Sequence, residues 1–409
     1  MFNSNITDLT DLKSDKLALE WQNFSITLTQ EQENAIKTFK EWFNSNKRGY
    51  FSLLGCAGTG KSSLIPYLID SLKLKSYQVA VCSYTGKAAL VLKRKGIKDA
   101  KTIHQTIYDV KILKVPPPEN IKIIFNRKTT LRPAKLIIVD EASMIDEEMH
   151  NDLMKFNIPV LYIGDPYQLP PIKGNWNVMQ HCDFQLTEIL RQAKESPIIQ
   201  IADMIRNKKT IPYQNGEFFS KIYLEDFDNN MFKDYNQIAV GTNAQREAIN
   251  KIYREEFLNI TAKYPTSNEK LVVLKNNYYH GLYNGQCLLL GSNASTTKIM
   301  GREYFHLEYI DEVEYNDVVL SIQSEGFRLA PFALGVPQEE FSKHRSGEVV
   351  FADYGYALTV HKMQGSQWDS VMVFDSGFGV WDKELRSRWL YTAVTRAKEK
   401  LLIVGGKRK

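Results

Sequence analysis

Tyr50-Phe51-Ser52-Leu53-Leu54 runs directly into Gly55-Cys56-Ala57-Gly58-Thr59-Gly60-Lys61-Ser62, and a helical pattern follows to about residue 73. A short apolar run, a glycine-rich turn of the form GxxxxGK[ST] and a helix make one strand–loop–helix unit. In such a unit successive backbone N–H groups curl around phosphate oxygens, and the start of the helix adds partial positive charge. Gly55, Gly58, Thr59 and Gly60 would shape that cradle. Lys61 would reach the β- and γ-phosphates, and the Ser62 hydroxyl would ligate Mg²⁺. The competing reading is a glycine turn with a chance lysine, which leaves the flanking strand and helix unexplained.

The same apolar-run signature recurs at Val79–Cys82, Leu136–Val139 and Val160–Ile163, each separated from the next by helical pattern. Short, continuously apolar runs in that rhythm predict buried parallel strands of an α/β sheet. Two of them end on chemistry. Leu136-Ile137-Ile138-Val139 leads into Asp140-Glu141, where Asp140 would hold Mg²⁺ and Glu141 would orient and deprotonate an attacking water. Adjacent carboxylates after a strand also cap helices, so this reading leans on the cradle. Val160–Ile163 leads into Gly164-Asp165-Pro166-Tyr167-Gln168-Leu169-Pro170-Pro171, where the Gln168 amide suits contact with a γ-phosphate or the water. Upstream, Thr29-Gln30-Glu31-Gln32 has capping-box spacing, with Gln32 reaching back to the N-cap of a helix. Recognition of adenine by the Gln32 amide is the alternative.

A second α/β rhythm starts at Gln237–Val240 and closes with Leu401–Val404. Two stretches break the pattern. Residues 108–135 contain Pro116-Pro117-Pro118 and then Ile121–Lys128, read as a β-hairpin with Phe125 near a turn residue. Residues 271–349 hold short pieces rich in Gly, Tyr and Val, read as a small β module. The expected organisation is an N-terminal extension over 1–24, a first α/β domain over 25–200 and a second over 201–409, each carrying its insertion.

Composition bounds the function classes. The chain has 409 residues, 43% apolar and 24% charged, which fits globular domains and excludes a mostly disordered chain. A net charge of +5 permits nucleic-acid binding without arguing for it. No apolar stretch is long enough for a membrane span, and the N-terminus lacks a basic segment followed by an apolar one, so neither an anchor nor a secretory leader is expected. The four cysteines stand far apart with no CxxC spacing, which argues against a disulfide framework or a zinc site and fits a reducing cytoplasm.

In order, LTQEQ, GCAGTGKS, SYTGKAA, TIHQTI, VDEAS, GDPYQLPPI, LTEILRQ, ALTVHKMQGSQWD and YTAVTRAKEKL resemble the motifs of superfamily 1 helicases across residues 28–405. The wording of the third, sixth and eighth is most similar to the RecD/Dda branch, which moves 5′→3′ on single-stranded DNA. The resemblance implies two RecA-like domains in tandem with ATP and Mg²⁺ in the cleft between them. It puts Gln32 at the adenine-reading glutamine, and Arg191 and Arg396 at the two arginines that contact the γ-phosphate. It implies strand contacts by Thr85, Lys87, Thr102 and His104 in the first domain, and by Thr359, His361, Gln364 and Ser366 in the second. His104 and His361 also read as packed core residues. The hairpin matches a strand-splitting pin with Phe125 as its aromatic, and the β module matches an SH3-like insertion at LKNNYYHGLYNGQ. Tyr84 departs from the proline usual before Thr-Gly-Lys. The expected partners are single-stranded and forked duplex DNA, with a single-strand-binding protein or replication proteins as further candidates. The expected location is the cytoplasm of a bacterium or a phage-infected cell. The rivals are a translocase that strips proteins from DNA with weak unwinding, a P-loop kinase, and a binding protein that uses ATP as a switch.

Overall fold

In a computed structural model of the chain, the described residues are 27–408 without 46–47, 115–120, 173, 175, 263, 278, 292–294, 300–301, 312–327, 335–348 and 377–381. The expected extension over 1–24 and the prolines 116–118 lie outside them.

The first α/β lobe is built on β1 (Tyr50–Gly55), β2 (Val79–Ser83) and β3 (Lys101–Thr102), a hairpin β4 (Tyr108–Lys114) and β5 (Ile121–Arg127), then β6 (Leu136–Asp140), β7 (Val160–Gly164) and β8 (Phe184–Leu186). All but the hairpin pair in parallel, in the order β3-β2-β6-β7-β1-β8. β6 and β7 are buried along their whole length, because helices cover both faces of the sheet. Their carboxyl ends and that of β1 lie side by side, which brings residues 55, 140 and 164 to one edge of the sheet.

The second lobe uses β9 (Phe219–Ile222) and β10 (Gln237–Val240). A mostly antiparallel module follows: β11 (Lys270–Val273), β12 (Cys287–Leu290), β13 (Ser295–Ile299), β14 (Arg302–Asp311), β15 (Arg328–Leu334) and β16 (Val350–Tyr354). The lobe resumes with β17 (Ala357–Thr359), β18 (Trp368–Phe374) and β19 (Ala397–Val404), giving a parallel sheet ordered β17-β10-β18-β19-β9. The module has its own core, including Leu271, Leu288, Leu307, Tyr309 and Phe332. It reaches to Tyr354, past the expected limit of 349, because β16 pairs with β11 across the module's entrance. Buried ion pairs fix both ends to the second lobe: Arg254 Nε lies 2.7 Å from Glu269 Oε1, and Arg246 Nη2 lies 2.9 Å from Asp353 Oδ2.

The hairpin differs from the expectation in one respect. Its register runs from Tyr108 opposite Arg127 to Lys114 opposite Ile121, so Asn126 is a paired strand residue opposite Asp109. Phe125 therefore sits opposite Val110, near the root of the hairpin and away from its turn. An Asn followed by a basic residue resembled a turn in sequence, but the seven-residue strands extend through it.

The lobes share a core. Cys56 and Leu169 of the first lobe pack in one buried cluster with Trp389, Tyr391 and Ala393 of the second.

Candidate active site

The glycine-rich loop leaves β1 in a conformation that side chains would obstruct. Gly60 has φ +75°, and a Cβ there would come within 2.8 Å of Gln32 Nε2. The Thr59 hydroxyl donates to the Cys56 carbonyl at 2.9 Å, closing the loop on itself. Lys61 Nζ donates to the same carbonyl at 2.7 Å and lies 4.0 Å from Asp165 Oδ2. The turn that follows is 3₁₀ over Lys61–Leu64 before an α-helix takes over at Ile65–Ser71, a tighter entry than the expected uninterrupted helix.

Gln32 is 3% exposed and carries both ends of its amide into hydrogen bonds. Its Oε1 accepts from the Thr29 N–H at 3.1 Å, completing the capping box of the helix Gln30–Asn44, while its Nε2 donates to the Thr59 carbonyl at 3.1 Å. The cap and the link to the cradle thus coexist in one side chain.

At the end of β6 the Ser62 hydroxyl donates to Asp140 Oδ1 at 3.1 Å. Burial, with the neighbouring Glu141 adding to it, pushes the Asp140 carboxyl up to about 6. Glu141 itself holds a left-handed backbone at φ +55°, a strained geometry for a non-glycine residue that redirects the chain after the strand. A hydroxyl and a buried carboxyl are oxygen donors suited to a hard divalent cation. Among the described residues no three His, Cys, Asp or Glu side chains gather into a fuller metal cluster. Two protein ligands match Mg²⁺ held jointly with phosphate oxygens.

Gln168 follows β7 and is 6% exposed, and among the described residues its side-chain oxygen has no hydrogen-bond partner. Such an orphaned acceptor is costly unless a ligand or water meets it. Opposite stands Arg396, 3% exposed, donating to the Thr392 carbonyl at 3.0 Å, the Ser366 carbonyl at 3.1 Å and the Thr395 hydroxyl at 3.2 Å. These are neutral acceptors, so the buried guanidinium keeps its charge uncompensated by them. Lys61, Ser62, Asp140, Glu141, Gln168 and Arg396 all line one cavity of about 850 Å³ between the lobes. Arg191 does not. It opens the short helix Arg191–Lys194 with its side chain exposed, while Leu190 and Ala193 beside it do face the cavity.

The candidate strand-binding residues divide into two groups. Thr85 and Thr102 are N-caps, accepting from the Ala88 and Gln105 N–H groups at 3.2 Å each. Thr359 caps the turn Val360–Met363 without a side-chain bond. The Thr102 hydroxyl also donates to Gln105 Oε1 at 3.3 Å. His104 and His361 are half-buried, and burial lowers both pKa values below the ordinary imidazole range. The second group contacts the cleft or the facing lobe. Lys87 Nζ lies 4.1 Å from the centre of the Trp368 ring and lines the cavity. Ser366 lines it too, and Gln364 Nε2 donates to the Leu169 carbonyl at 3.1 Å. Gly365 between them packs so tightly across the cleft that a Cβ would come within 2.6 Å of Thr85 Oγ1. That close approach is invisible in sequence.

Phe125 is 44% exposed, with its ring edge-on to Tyr108 at 6.2 Å. Tyr108 is anchored in turn by a hydrogen bond to Asp152. Several contacts between distant segments had no counterpart in the sequence reading. Asp165 and Tyr391 meet across the lobes at 2.8 Å, and Tyr283 of the β module bonds Gln105 of the first lobe. Both tyrosines lie in quoted motifs, where an aromatic reads as packing.

Comparison with known proteins agrees with this geometry. An AAA-domain family matches residues 27–217, and the UvrD-like helicase C-terminal domain matches 354–404. The ATP-dependent DNA helicase dda of Enterobacteria phage T4 is 24% identical over 91% of this chain and 98% of its own length. The ATP-dependent RecD2 DNA helicase of Deinococcus radiodurans is 26% identical over 86% of this chain and 46% of its own. Together these matches support a superfamily 1 helicase of the RecD/Dda-like branch. The fold of this helicase is also that of a Bacteroides Pif1 helicase solved with ADP-AlF3 and single-stranded DNA, at TM-score 0.53 and 16% identity, covering 94% of each chain. A structure of Pif1 helicases at forked duplex DNA aligns at TM-score 0.53 and 15% identity, covering 92% of each chain. No helix among the helicase's described residues is long and apolar enough to cross a membrane.

Proposed function

We propose that this chain is an ATP-dependent DNA helicase that moves 5′→3′ on single-stranded DNA and separates duplex strands, with domains at about 25–200 and 201–409. The observation that carries the reading is the cavity between the lobes. One wall offers Lys61 and Glu141, and the other a buried Arg396 with neutral partners. Lys61 leaves the Cys56 carbonyl to meet the β- and γ-phosphates, and Gln32, bonded to the Thr59 carbonyl of the cradle, would read the base by releasing its amide. Ser62 and Asp140 would hold Mg²⁺, which when bound would supply charge neutralisation for the phosphates. Glu141 takes the proton of the attacking water, Gln168 fixes that water or the γ-phosphate, and Arg396 faces the charge that builds in the transition state. Because Arg396 comes from the second lobe, hydrolysis depends on closure, and closure is what moves the two strand-facing surfaces. Arg191 serves the γ-phosphate only after its exposed side chain swings inward.

On the strand side, the hydroxyls of Thr85 and Thr359 donate to phosphates, and that of Thr102 does so on leaving Gln105 Oε1; none reads a base, which suits a motor that must pass any sequence. Such a protein works wherever single strands and forks occur, here the cytoplasm of a bacterium or of a phage-infected cell. The test is DNA-stimulated ATP turnover together with strand displacement on 5′-tailed and 3′-tailed duplexes. Turnover with displacement from the 5′ tail is expected. Displacement only from the 3′ tail would overturn the polarity, and turnover without displacement would favour a protein-stripping translocase.

A further inference from the structure

The second lobe grips the loop after β7 at several points. Arg388 Nη1 donates to the Pro166 carbonyl at 2.8 Å, the Thr392 hydroxyl accepts from the Leu169 N–H at 2.9 Å, and Gln364 holds the Leu169 carbonyl. Tyr391 does something further, because it touches the cradle itself. Its hydroxyl oxygen accepts from the Ala57 N–H at 2.8 Å, and its proton goes to Asp165 Oδ2 at 2.8 Å. One hydroxyl therefore ties together the phosphate loop, the loop after β7 and the helix Lys383–Val394 of the second lobe.

Asp165 Oδ2 is a shared acceptor. Tyr391 bonds it, and Lys61 Nζ lies 4.0 Å from the same atom, while Oδ1 accepts from the Tyr167 N–H at 3.0 Å. Both Asp165 and Tyr391 are buried, so water cannot replace a lost partner. When Lys61 turns toward a phosphate, Asp165 loses its nearby cation and depends more heavily on the tyrosine proton. Burial foremost, with Asp165 adding to it, drives the Tyr391 pKa well above the ordinary phenol range, so that proton stays in place at any physiological pH.

We propose that Tyr391 is a positioning residue of the ATPase site, whose hydroxyl joins the Ala57 amide and Asp165 to the second lobe and tightens that joint when Lys61 engages phosphate. The proposal rests on the ATPase reading given above. It makes the hydroxyl responsible for transmitting cradle occupancy to the lobe that carries Arg396, five residues along the same chain segment.

Tyr391→Phe removes only the hydroxyl and keeps the ring that packs in the shared core. The expected result is a fall of about tenfold or more in DNA-stimulated kcat with KM for ATP within about threefold, the pattern of an interaction used beyond ground-state binding. Thr392→Val, which removes a neighbouring cross-lobe hydrogen bond away from the cradle, should lower kcat by no more than about fivefold, less than Tyr391→Phe does. Asp165→Asn combined with Tyr391→Phe should be no slower than the slower single variant within about twofold, because both act through one joint. Independently of turnover, amide exchange of the segment 55–61 in the nucleotide-free protein should accelerate in Tyr391→Phe and not in Thr392→Val. Unchanged exchange, equal losses in the two hydroxyl variants, or a kcat within twofold of a DNA-stimulated parent would each overturn the proposal. A parent with no DNA-stimulated turnover would instead overturn the ATPase reading, and exchange alone would then decide whether the hydroxyl holds the cradle.

Discussion

The nucleotide cleft and the strand-facing side of the molecule are built from the same kinds of loop, yet they differ in what holds their polar groups. In the cleft, Gln168 has an orphaned oxygen, Arg396 is buried among neutral acceptors, and Asp140 sits well above the usual carboxylate range. On the strand side, Thr85 and Thr102 already work as helix caps, and Lys87, Gln364 and Ser366 are committed to the cleft or to the other lobe. The cleft thus carries polar groups that their described neighbours do not balance. The strand side is organised around its own helices, and DNA would use whatever donors those caps leave free. The cleft should be intolerant of single substitutions, whereas the strand side should lose function in smaller steps.

The largest effects test the first half of that contrast. Lys61→Ala should abolish ATP hydrolysis, measured as phosphate release at saturating DNA. Glu141→Gln should still bind Mg-ATP but turn over at least ~10²-fold more slowly, since general-base effects typically span 10²–10⁴. Near-normal turnover in that variant would remove Glu141 from the role. Arg396→Ala should cost about 10²-fold or more in DNA-stimulated kcat while nucleotide affinity holds, because a guanidinium facing developing charge acts mainly at the transition state. Loss of binding with an unchanged rate per bound ATP would make Arg396 a ground-state ligand and break the closure account.

Gln364 sits on the border between the two regions and sharpens the comparison. A direct strand contact would make Gln364→Ala weaken single-strand affinity. Its hydrogen bond to the Leu169 carbonyl instead predicts strand affinity within about twofold and a fall of about fivefold in DNA-stimulated kcat, in line with losing one buried hydrogen bond. Titration of a labelled oligonucleotide beside steady-state turnover separates the two outcomes.

These differences also explain what could be read without coordinates. β1, β2, β6 and β7 were legible because strands covered on both faces are continuously apolar. β9, Phe-Ser-Lys-Ile, was not, because it is an edge strand paired with β19 and only its ends are buried. The cradle was legible because its residues are consecutive and each glycine answers a local backbone demand. Asp165 and Tyr391 were not, because their relation to Ala57 joins three segments hundreds of residues apart. The approach of Gly365 to Thr85 and the contacts of Lys87 with Trp368 and Gln364 with Leu169 join the two lobes, and no local pattern encodes them.

The smallest expected effect belongs to Phe125, where the strand side meets the fork. A translocating motor separates strands only if something solid stands at the junction, and each base-pair step opened costs on average ~1.4 kcal/mol. Phe125 offers a half-open ring, but from the root of the hairpin, edge-on to a Tyr108 that Asp152 anchors. A ring in that place can buttress a displaced base by stacking, worth roughly 1–3 kcal/mol per base at a full contact. An edge-on ring already shared with Tyr108 delivers less than that. Phe125→Ala should therefore lower unwinding of a 5′-tailed duplex by only a few-fold, with DNA-stimulated ATPase and the thermal midpoint both close to the parent. A collapse of unwinding at unchanged ATPase would make Phe125 the splitting residue itself and extend single-residue intolerance to the strand side. A parallel fall in ATPase, unwinding and thermal midpoint would make it a packing residue of the hairpin root, held there for Tyr108 and not for DNA.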